Sequence, residues 1–212
     1  MIESEVKFLL NDLPGLRRRL ETLGARLASP EVHEINLKFD RPDRSLTETF
    51  QVLRLRRDSR VRLTYKGPGW IVDGVNARKE IEFEAGDFEA AQAFLEALGF
   101  EVSLVYEKYR TTCELDGVEV VLDRTPIGDF SELEGPDGAA IAALAARLGL
   151  DWSARTAASY TFLFDEVKRS LGLAVRDLTF ENFEGVAVTP AALGVRPADG
   201  PHGTQNAPTA FP

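Results

Sequence analysis

The chain has 212 residues, 44% of them hydrophobic, which is enough for one sizeable core or two small ones. A net charge of −9 argues against a nucleic-acid backbone or an anionic membrane as the main partner. One cysteine, Cys113, and two histidines, His33 and His202, exclude an intramolecular disulfide and a thiolate metal site and leave little for a zinc cluster. No N-terminal apolar run reads as a signal peptide and no apolar stretch is long enough to span a bilayer, so a cytoplasmic location is expected.

The first element is a strand: Glu3, Glu5 and Lys7 alternate with Ser4, Val6 and Phe8, the period of two that points side chains to opposite faces. An amphipathic helix follows, with Asp12 as N-cap, a stripe of Leu13, Leu16, Leu20, Leu23 and Leu27, and Gly24 as stop. Three strands are then predicted at 32–40, 50–57 and 60–67. Residues 80–99 (EIEFEAGDFEAAQAFLEALG) repeat the pattern of residues 5–24 (EVKFLLNDLPGLRRRLETLG), with Asp87 as cap, a stripe of Phe88, Ala91, Leu95 and Leu98, and Gly99 as stop. Three more strands are predicted at 102–114, 117–124 and 129–135, with Asp116-Gly117 as a turn signal. Two amphipathic helices follow at 137–149, burying Ile141, Leu144 and Leu148, and at 154–170, burying Tyr160, Leu163 and Val167. Beyond that, residues 190–212 hold five prolines and three glycines without periodicity, so the segment 171–212 is expected to be a largely disordered tail.

The expected fold is therefore α+β: a strand–helix–three-strand unit, duplicated, whose eight antiparallel strands close into a barrel with the helices packed outside. Seven of the eight strands carry ionised residues on one face: Glu3, Glu5 and Lys7; Arg54 and Arg56; Arg62 and Lys66 with Thr64; Arg78, Glu80, Glu82 and Glu84; Lys108 and Arg110; Glu119 and Asp123; Glu132 and Glu134. A half-exposed sheet alternates in the same way, but its wet face usually mixes in Ser, Thr and Gln. The helices need the apolar strand faces, which turns the charged faces into a lumen. Buried charge is costly unless matched. The basic set (Lys7, Arg54, Arg56, Arg62, Lys66, Arg78, Lys108 and Arg110) suits a polyanion such as a polyphosphate. The acidic set (Glu3, Glu5, Glu80, Glu82, Asp123, Glu132 and Glu134) suits a hard divalent cation.

An ordered series of motifs resembles the CYTH domain, the triphosphate tunnel metalloenzymes. It runs Glu3-Ser4-Glu5-Val6-Lys7, Leu53-Arg54-Leu55-Arg56, Leu63-Thr64-Tyr65-Lys66-Gly67-Pro68, Arg78-Lys79-Glu80-Ile81-Glu82, Lys108-Tyr109-Arg110, Asp123, Gly128-Asp129-Phe130-Ser131-Glu132-Leu133-Glu134 and Ser159-Tyr160. The resemblance covers residues 1–170. It implies that the basic set holds a triphosphate, that Glu3, Glu5, Asp123, Glu132 and Glu134 hold Mg²⁺ or Mn²⁺, and that Glu5, Lys7, Lys66 and Lys108 serve catalysis. Glu80 and Glu82 would instead orient neighbouring cations. The implied partner is a triphosphate-containing small molecule, not nucleic acid or membrane, and a homodimer is compatible with the family.

The expected reaction is metal-dependent hydrolysis of inorganic triphosphate or of a nucleoside or organic triphosphate, with water attacking the terminal phosphorus. The alternatives are a class IV adenylate cyclase, making cyclic AMP and pyrophosphate from ATP, and a non-catalytic polyphosphate or nucleotide sensor. One departure stands out. Where the family's second strand often reads Tyr-Phe-Asp-Thr, this chain has Lys38-Phe39-Asp40-Arg41, which weakens thiamine triphosphate as substrate. Cys113 is expected to pack in the core and His33 to sit on a strand near the tunnel mouth. Trp70, beside Gly67, Pro68 and Gly69, reads as a surface aromatic or as a cover over a base or rim.

Overall fold

The strands alternate between charged and apolar residues, and this pattern sets the architecture. The computed structural model describes residues 2–72 and 75–200, with side chains described from Ser4 to Ile71 and from Ala77 to Gly200. Eight antiparallel strands are present: β1 (Ile2–Leu10), β2 (Arg26–Asp40), β3 (Val52–Arg57), β4 (Val61–Val72), β5 (Val75–Glu84), β6 (Glu101–Leu115), β7 (Val118–Thr125) and β8 (Gly128–Gly135). They join in the order β1-β5-β4-β3-β2-β6-β7-β8 and close on themselves by hydrogen bonds, leaving a tunnel along the axis. The seam between β1 and β5 runs from Ile2 opposite Lys79 to Glu5 opposite Asn76.

Both halves of the duplication are visible. Helices α1 (Leu13–Thr22) and α3 (Phe88–Ala97) start on aspartate caps, Asp12 accepting from the Gly15 N–H at 2.8 Å and Asp87 from the Ala90 N–H at 2.7 Å. A short helix, α2 (Ser45–Glu48), precedes β3. Between β6 and β7, Asp116 and Gly117 hold φ of 54° and 77°, the pair of left-handed conformations a two-residue hairpin turn requires.

The apolar strand faces point outward, under the helices. Val6, Phe8 and Leu10 of β1 join Val118, Val120 and Leu133 beneath α1 and α4 (Gly138–Arg147), which contributes Ile141, Leu144 and Leu148. Cys113 packs in this cluster, as expected. A second patch, Leu37, Phe39 and Leu55, lies under Phe88 and Leu95 of α3. Burying such side chains is worth about 1.5–3 kcal/mol each, so the helical layer fixes which face the charges must take.

At one end of the tunnel the inward face turns apolar. Leu9, Leu104 and Phe130 share the faces of Lys7, Tyr106 and Glu132, and helix α5 (Tyr160–Leu171) seats Tyr160, Leu163, Phe164 and Val167 against them. The helix begins later than the expected residue 154. Residues Trp152–Ala154 form a single 3₁₀ turn, and Thr156 exchanges two backbone hydrogen bonds with Lys7 on the β1 edge (3.0 and 2.8 Å).

The expected loose tail is ordered up to residue 200. Leu178 docks on β6, exchanging backbone bonds with Val105 and Glu107 (2.9 and 3.0 Å), and Ala198 bonds Leu9 at 2.9 Å. Phe183, together with Leu193 of α6 (Pro190–Leu193), is buried behind α5, the Phe183 ring lying 5.9 Å from that of Phe164. The prolines and glycines hid this because the segment anchors through single apolar residues, without periodicity. Truncation after Gly172 is expected to remove about 3 kcal/mol or more, since Leu178, Phe183 and Leu193 lose their burial and the back of α5 is bared. Urea denaturation checks this; an unchanged midpoint would mean that the barrel alone holds α5. Residues 201–212, His202 among them, lie outside the described residues.

Candidate functional site: a charged tunnel

Every strand sends ionic or polar side chains inward, including β2, whose Glu34, Asn36 and Lys38 alternate with Ile35, Leu37 and Phe39. The lumen is a cavity of about 790 Å³ reached by Glu5 and Lys7, Lys38, Arg54 and Arg56, Arg62 and Lys66, Arg78, Glu80 and Glu82, Tyr106, Lys108 and Arg110, Glu119, Glu132 and Glu134. Charges this far from water persist only when paired, and the pairs are explicit. Lys7 reaches Glu132 at 2.5 Å and lies 4.4 Å over the Tyr160 ring. Lys66 reaches Glu80 at 2.5 Å. Arg110 makes a fork to both oxygens of Asp123 (2.7 and 2.5 Å) and also bonds Glu132 at 2.5 Å. Lys108 and the Tyr160 hydroxyl complete Asp123 at 3.0 and 2.7 Å.

The opposite wall is richer in guanidinium. Arg56 pairs with Glu34 (3.3 Å), Asp58 (3.5 Å) and Glu82 (3.6 Å), and Arg54 with Glu82 at 3.5 Å. Arg62 pairs with Asp58, and Arg78 lies between Glu5 (3.5 Å) and Glu80 (3.4 Å). The pairing is incomplete. Arg54 and Arg62 each leave a buried Nε–H with no hydrogen-bond acceptor, and the Nε–H groups of Arg56 and Arg78 reach Asp58 and Glu80 only as ion pairs at 3.5 and 3.4 Å, outside hydrogen-bond geometry. Such orphaned donors are costly, and an anion in the lumen would satisfy them.

Burial pushes the lumen carboxyls up, and the cations outweigh it. Lys108, Arg110, Arg56 and Arg54 bring Glu34 down to about 2. Lys7, Arg110 and Lys108 hold Glu132 well below the usual carboxylate range. Burial and Glu132 also push Glu5 up, yet Lys7, Lys66 and Arg78 leave it lowered. Glu119 differs: burial raises it, with too little nearby cation to compensate. Burial, with Asp123 and Glu132 close by, keeps the Tyr160 phenol protonated far above its ordinary range.

The carboxylates have their own geometry. Glu134 stands directly opposite Glu5 on β1 and opposite Glu119 on β7, so three acidic residues lie in one row across three neighbouring strands. Like charges directly opposite destabilise a sheet unless something neutralises them.

Comparison with known proteins identifies the family. The sequence pattern of the CYTH domain matches residues 1–147. The chain belongs to the CYTH family. Among solved structures, it is similar to a candidate adenylate cyclase of Vibrio parahaemolyticus, at 21% identity and TM-score 0.70, covering 78% of this chain and 98% of that one. A Pyrococcus horikoshii protein is 28% identical, with TM-score 0.66 over 77% of this chain and 98% of that one. A Hippeastrum adenylyl cyclase candidate, whose triphosphatase activity is dominant, is 17% identical with TM-score 0.60 over 77% and 94%. No curated protein matches the sequence.

Within this CYTH tunnel, all eight residues of the basic set meet in one lumen, together with Glu5, Glu132 and Glu134. The backbone of Glu3 pairs with Arg78 at the β1–β5 seam, but its side chain lies outside the described residues. Asp123 is completely buried and does not line the cavity; its two oxygens are occupied by Lys108, Arg110 and Tyr160. His33 turns outward from β2, not into the tunnel, and stacks on Tyr109 at 4.7 Å because its neighbours Val32 and Glu34 take the other face. Among the described residues, no three Asp, Glu, His or Cys side chains stand close enough to form a metal cage by themselves.

Several tunnel residues lie outside the expected set. Glu34, Asn36 and Lys38 were readable from the alternation in VHEINLKFD. Glu119 shares the expected face of Asp123 but received no role from its spacing. Tyr160 sits on the apolar stripe of α5, and no periodicity shows that its hydroxyl reaches Asp123. Tyr106 enters the lumen from β6, where Arg54 and Lys108 outweigh burial and lower its phenol.

Proposed function

We propose that the tunnel binds a triphosphate together with a hard divalent cation, Mg²⁺ or Mn²⁺, and hydrolyses the triphosphate. The observation that carries this reading is a wall of buried guanidinium groups whose Nε–H donors lack hydrogen-bonded acceptors, those of Arg56 and Arg78 meeting carboxylates only as longer ion pairs, across the lumen from the carboxylate row. Phosphoryl transfer asks little covalent chemistry of a protein; positioning and charge neutralisation supply most of the rate. Arg54, Arg56, Arg62, Lys66 and Arg78 would grip phosphate oxygens from one side, and Lys7, Lys108 and Arg110 from the other.

Glu5 and Glu134 fit a hard cation, joined by Glu119 and, through the family resemblance, by Glu3 and by Glu132, whose two oxygens are taken by Lys7 and Arg110 as the lumen stands. Mg²⁺ usually takes only one or two carboxylates, with water and substrate phosphates completing its shell, so a preformed cage is not required. The bound ion supplies charge neutralisation and polarisation of phosphoryl oxygens. Asp123 holds Lys108 and Arg110 in place, a positioning role that we favour over metal ligation. Lys7, Lys66 and Lys108 present ammonium groups to charge developing on the transferred phosphoryl group, and Glu5 orients Arg78 beside it.

Incubation with Mg²⁺ or Mn²⁺ and inorganic triphosphate or ATP, measuring phosphate and cyclic AMP together, tests the proposal. Metal-dependent phosphate release is expected. Cyclic AMP without phosphate would instead establish the cyclase reaction, with the ribose hydroxyl as nucleophile. Tight triphosphate binding without turnover would establish a sensor.

A further inference from the structure

The duplication carries a comparison of its own. At the offset that aligns residues 5–24 with 80–99, Val6 and Phe8 of β1 correspond to Ile81 and Phe83 of β5. All four take the outer face of the sheet. Val6 and Phe8 are 2% and 0% exposed, sealed under α1 and α4, whereas Ile81 and Phe83 are 50% and 56% exposed. The difference lies in connectivity. The second unit is followed by α4, which lies across β8 and β1; the first has no such helix, because β4 runs straight into its neighbour β5. Leu63 stands opposite Phe83 and Tyr65 opposite Ile81. Trp70, opposite Ala77 and 45% exposed, carries the same outer face to the far end of the hairpin. Scattered exposed apolar residues need no explanation, but a contiguous bare face does.

A surface that matches this face lies beside it. Helix α3 follows β5 after the short link 85–87, and its buried residues Phe88 and Leu95 commit it to the patch of Leu37, Phe39 and Leu55. Phe94 and Leu98, one helical turn apart, are left 63% and 54% exposed. The helix carries Glu89 and Glu96 and no basic residue, while the outer face of β4 and β5 carries the exposed Lys79 and no acid. Helix stripe and sheet face are thus complementary in apolarity and in charge. Ile81, Phe83, Trp70, Phe94 and Leu98 together present on the order of 500 Å² of apolar surface per copy. A stable interface takes about 800 Å² from each partner, apolar at its centre and polar at its rim. The exposed pairs Arg57–Glu89 (3.0 Å) and Arg60–Glu84 (2.7 Å) can supply such a rim.

We propose that two copies of this chain pair about a two-fold axis, with α3 of each lying on the bare β4–β5 face of the other. Phe94 and Leu98 then cover Ile81 and Phe83, in the place that α4 takes over Val6 and Phe8, and Glu96 comes to face Lys79. Each copy gives one helix and one sheet face, so the interface is isologous and closes at two. The pairing needs no ligand and stands apart from the triphosphate reading of the lumen.

Sedimentation equilibrium of the full chain, without metal or substrate, tests the proposal. A dimer is expected at micromolar concentration. Phe83→Asp and Phe94→Asp, both at exposed positions, are each expected to raise its dissociation constant by about 100-fold or more, because a two-fold interface loses every contact twice. Leu171→Asp, at an exposed apolar position on α5, should leave the constant unchanged. Ile81→Asp and Leu98→Asp repeat the test if either of the first two variants does not fold. Mixing Phe83→Asp with Phe94→Asp should restore part of the association, since the mixed pair keeps one intact helix-on-sheet contact. A parent that sediments as a monomer throughout, or a dimer indifferent to both substitutions, would overturn the proposal. So would a dimer weakened by only one of the two, or no recovery on mixing, since either result removes α3 as the cover of the partner's sheet.

Discussion

Asp123→Ala is expected to cost about 3–5 kcal/mol of folding stability, the usual penalty for removing one partner of a buried ionic group. Asp123 has no exposed surface and serves three donors at once: Lys108 at 3.0 Å, the Arg110 fork at 2.7 and 2.5 Å, and the Tyr160 hydroxyl at 2.7 Å. Alanine would leave two cations facing each other with only Glu132 and Glu34 to share between them. It would also orphan a phenol at the point where α5 meets the lumen. Asp123→Asn keeps the shape and one acceptor, so its loss should be smaller but still clear. Chemical denaturation of the metal-free protein measures both. A loss below about 1 kcal/mol for the alanine variant would mean that the three donors find other acceptors, and that Asp123 is not the hub of this wall. The same titrations with Mg²⁺ separate positioning from ligation: a positioning Asp123 leaves the metal-induced gain in stability largely in place.

The barrel was legible because its signal is repetitive. A period of two in each strand, aspartate caps at Asp12 and Asp87 and glycine stops at Gly24 and Gly99 all say the same thing twice, and independent local cues that agree are what make a fold readable. The basic set was legible for a related reason: charge on an inward face has few explanations other than a ligand or a partner. Two kinds of feature escaped. The first is long-range pairing. Strand alternation puts Asp123 and Glu134 on the same inward face, yet one is sealed among Lys108, Arg110 and Tyr160 while the other borders the cavity. That difference depends on α5, which sits 37 residues along the chain from Asp123 at the Tyr160 contact. The second is aperiodic packing. Leu178, Phe183 and Leu193 hold the C-terminal segment in place through isolated apolar contacts, and a sequence rich in proline and glycine gives no period in which to see them.

Glu5→Gln is expected to lower metal-dependent turnover by at least about 100-fold while leaving the protein folded. Changing a residue that merely supports a metal ligand typically costs about 10–100-fold, so loss of a ligand itself should cost no less. Stability should respond less. Burial and Glu132 push the Glu5 carboxyl upward, and Glu134 faces it across the β1–β8 pair, yet Lys7, Lys66 and Arg78 leave it lowered, so the ionised form favours the fold and neutralising it costs stability. The 3.5 Å contact with Arg78 loses its charge but keeps an acceptor oxygen, which limits the penalty. The metal-free variant should therefore stay folded and unfold at a midpoint modestly below that of the parent. Adding Mg²⁺ or Mn²⁺ stabilises the parent, because an ion that binds only the folded state shifts the equilibrium by mass action; the variant should lose most of that increment. Thermal unfolding with and without metal, alongside phosphate release from inorganic triphosphate, measures both effects. A folded Glu5→Gln protein that retains metal-dependent turnover and the metal-induced shift would remove Glu5 from the cation site, leaving the row to Glu134 and Glu119.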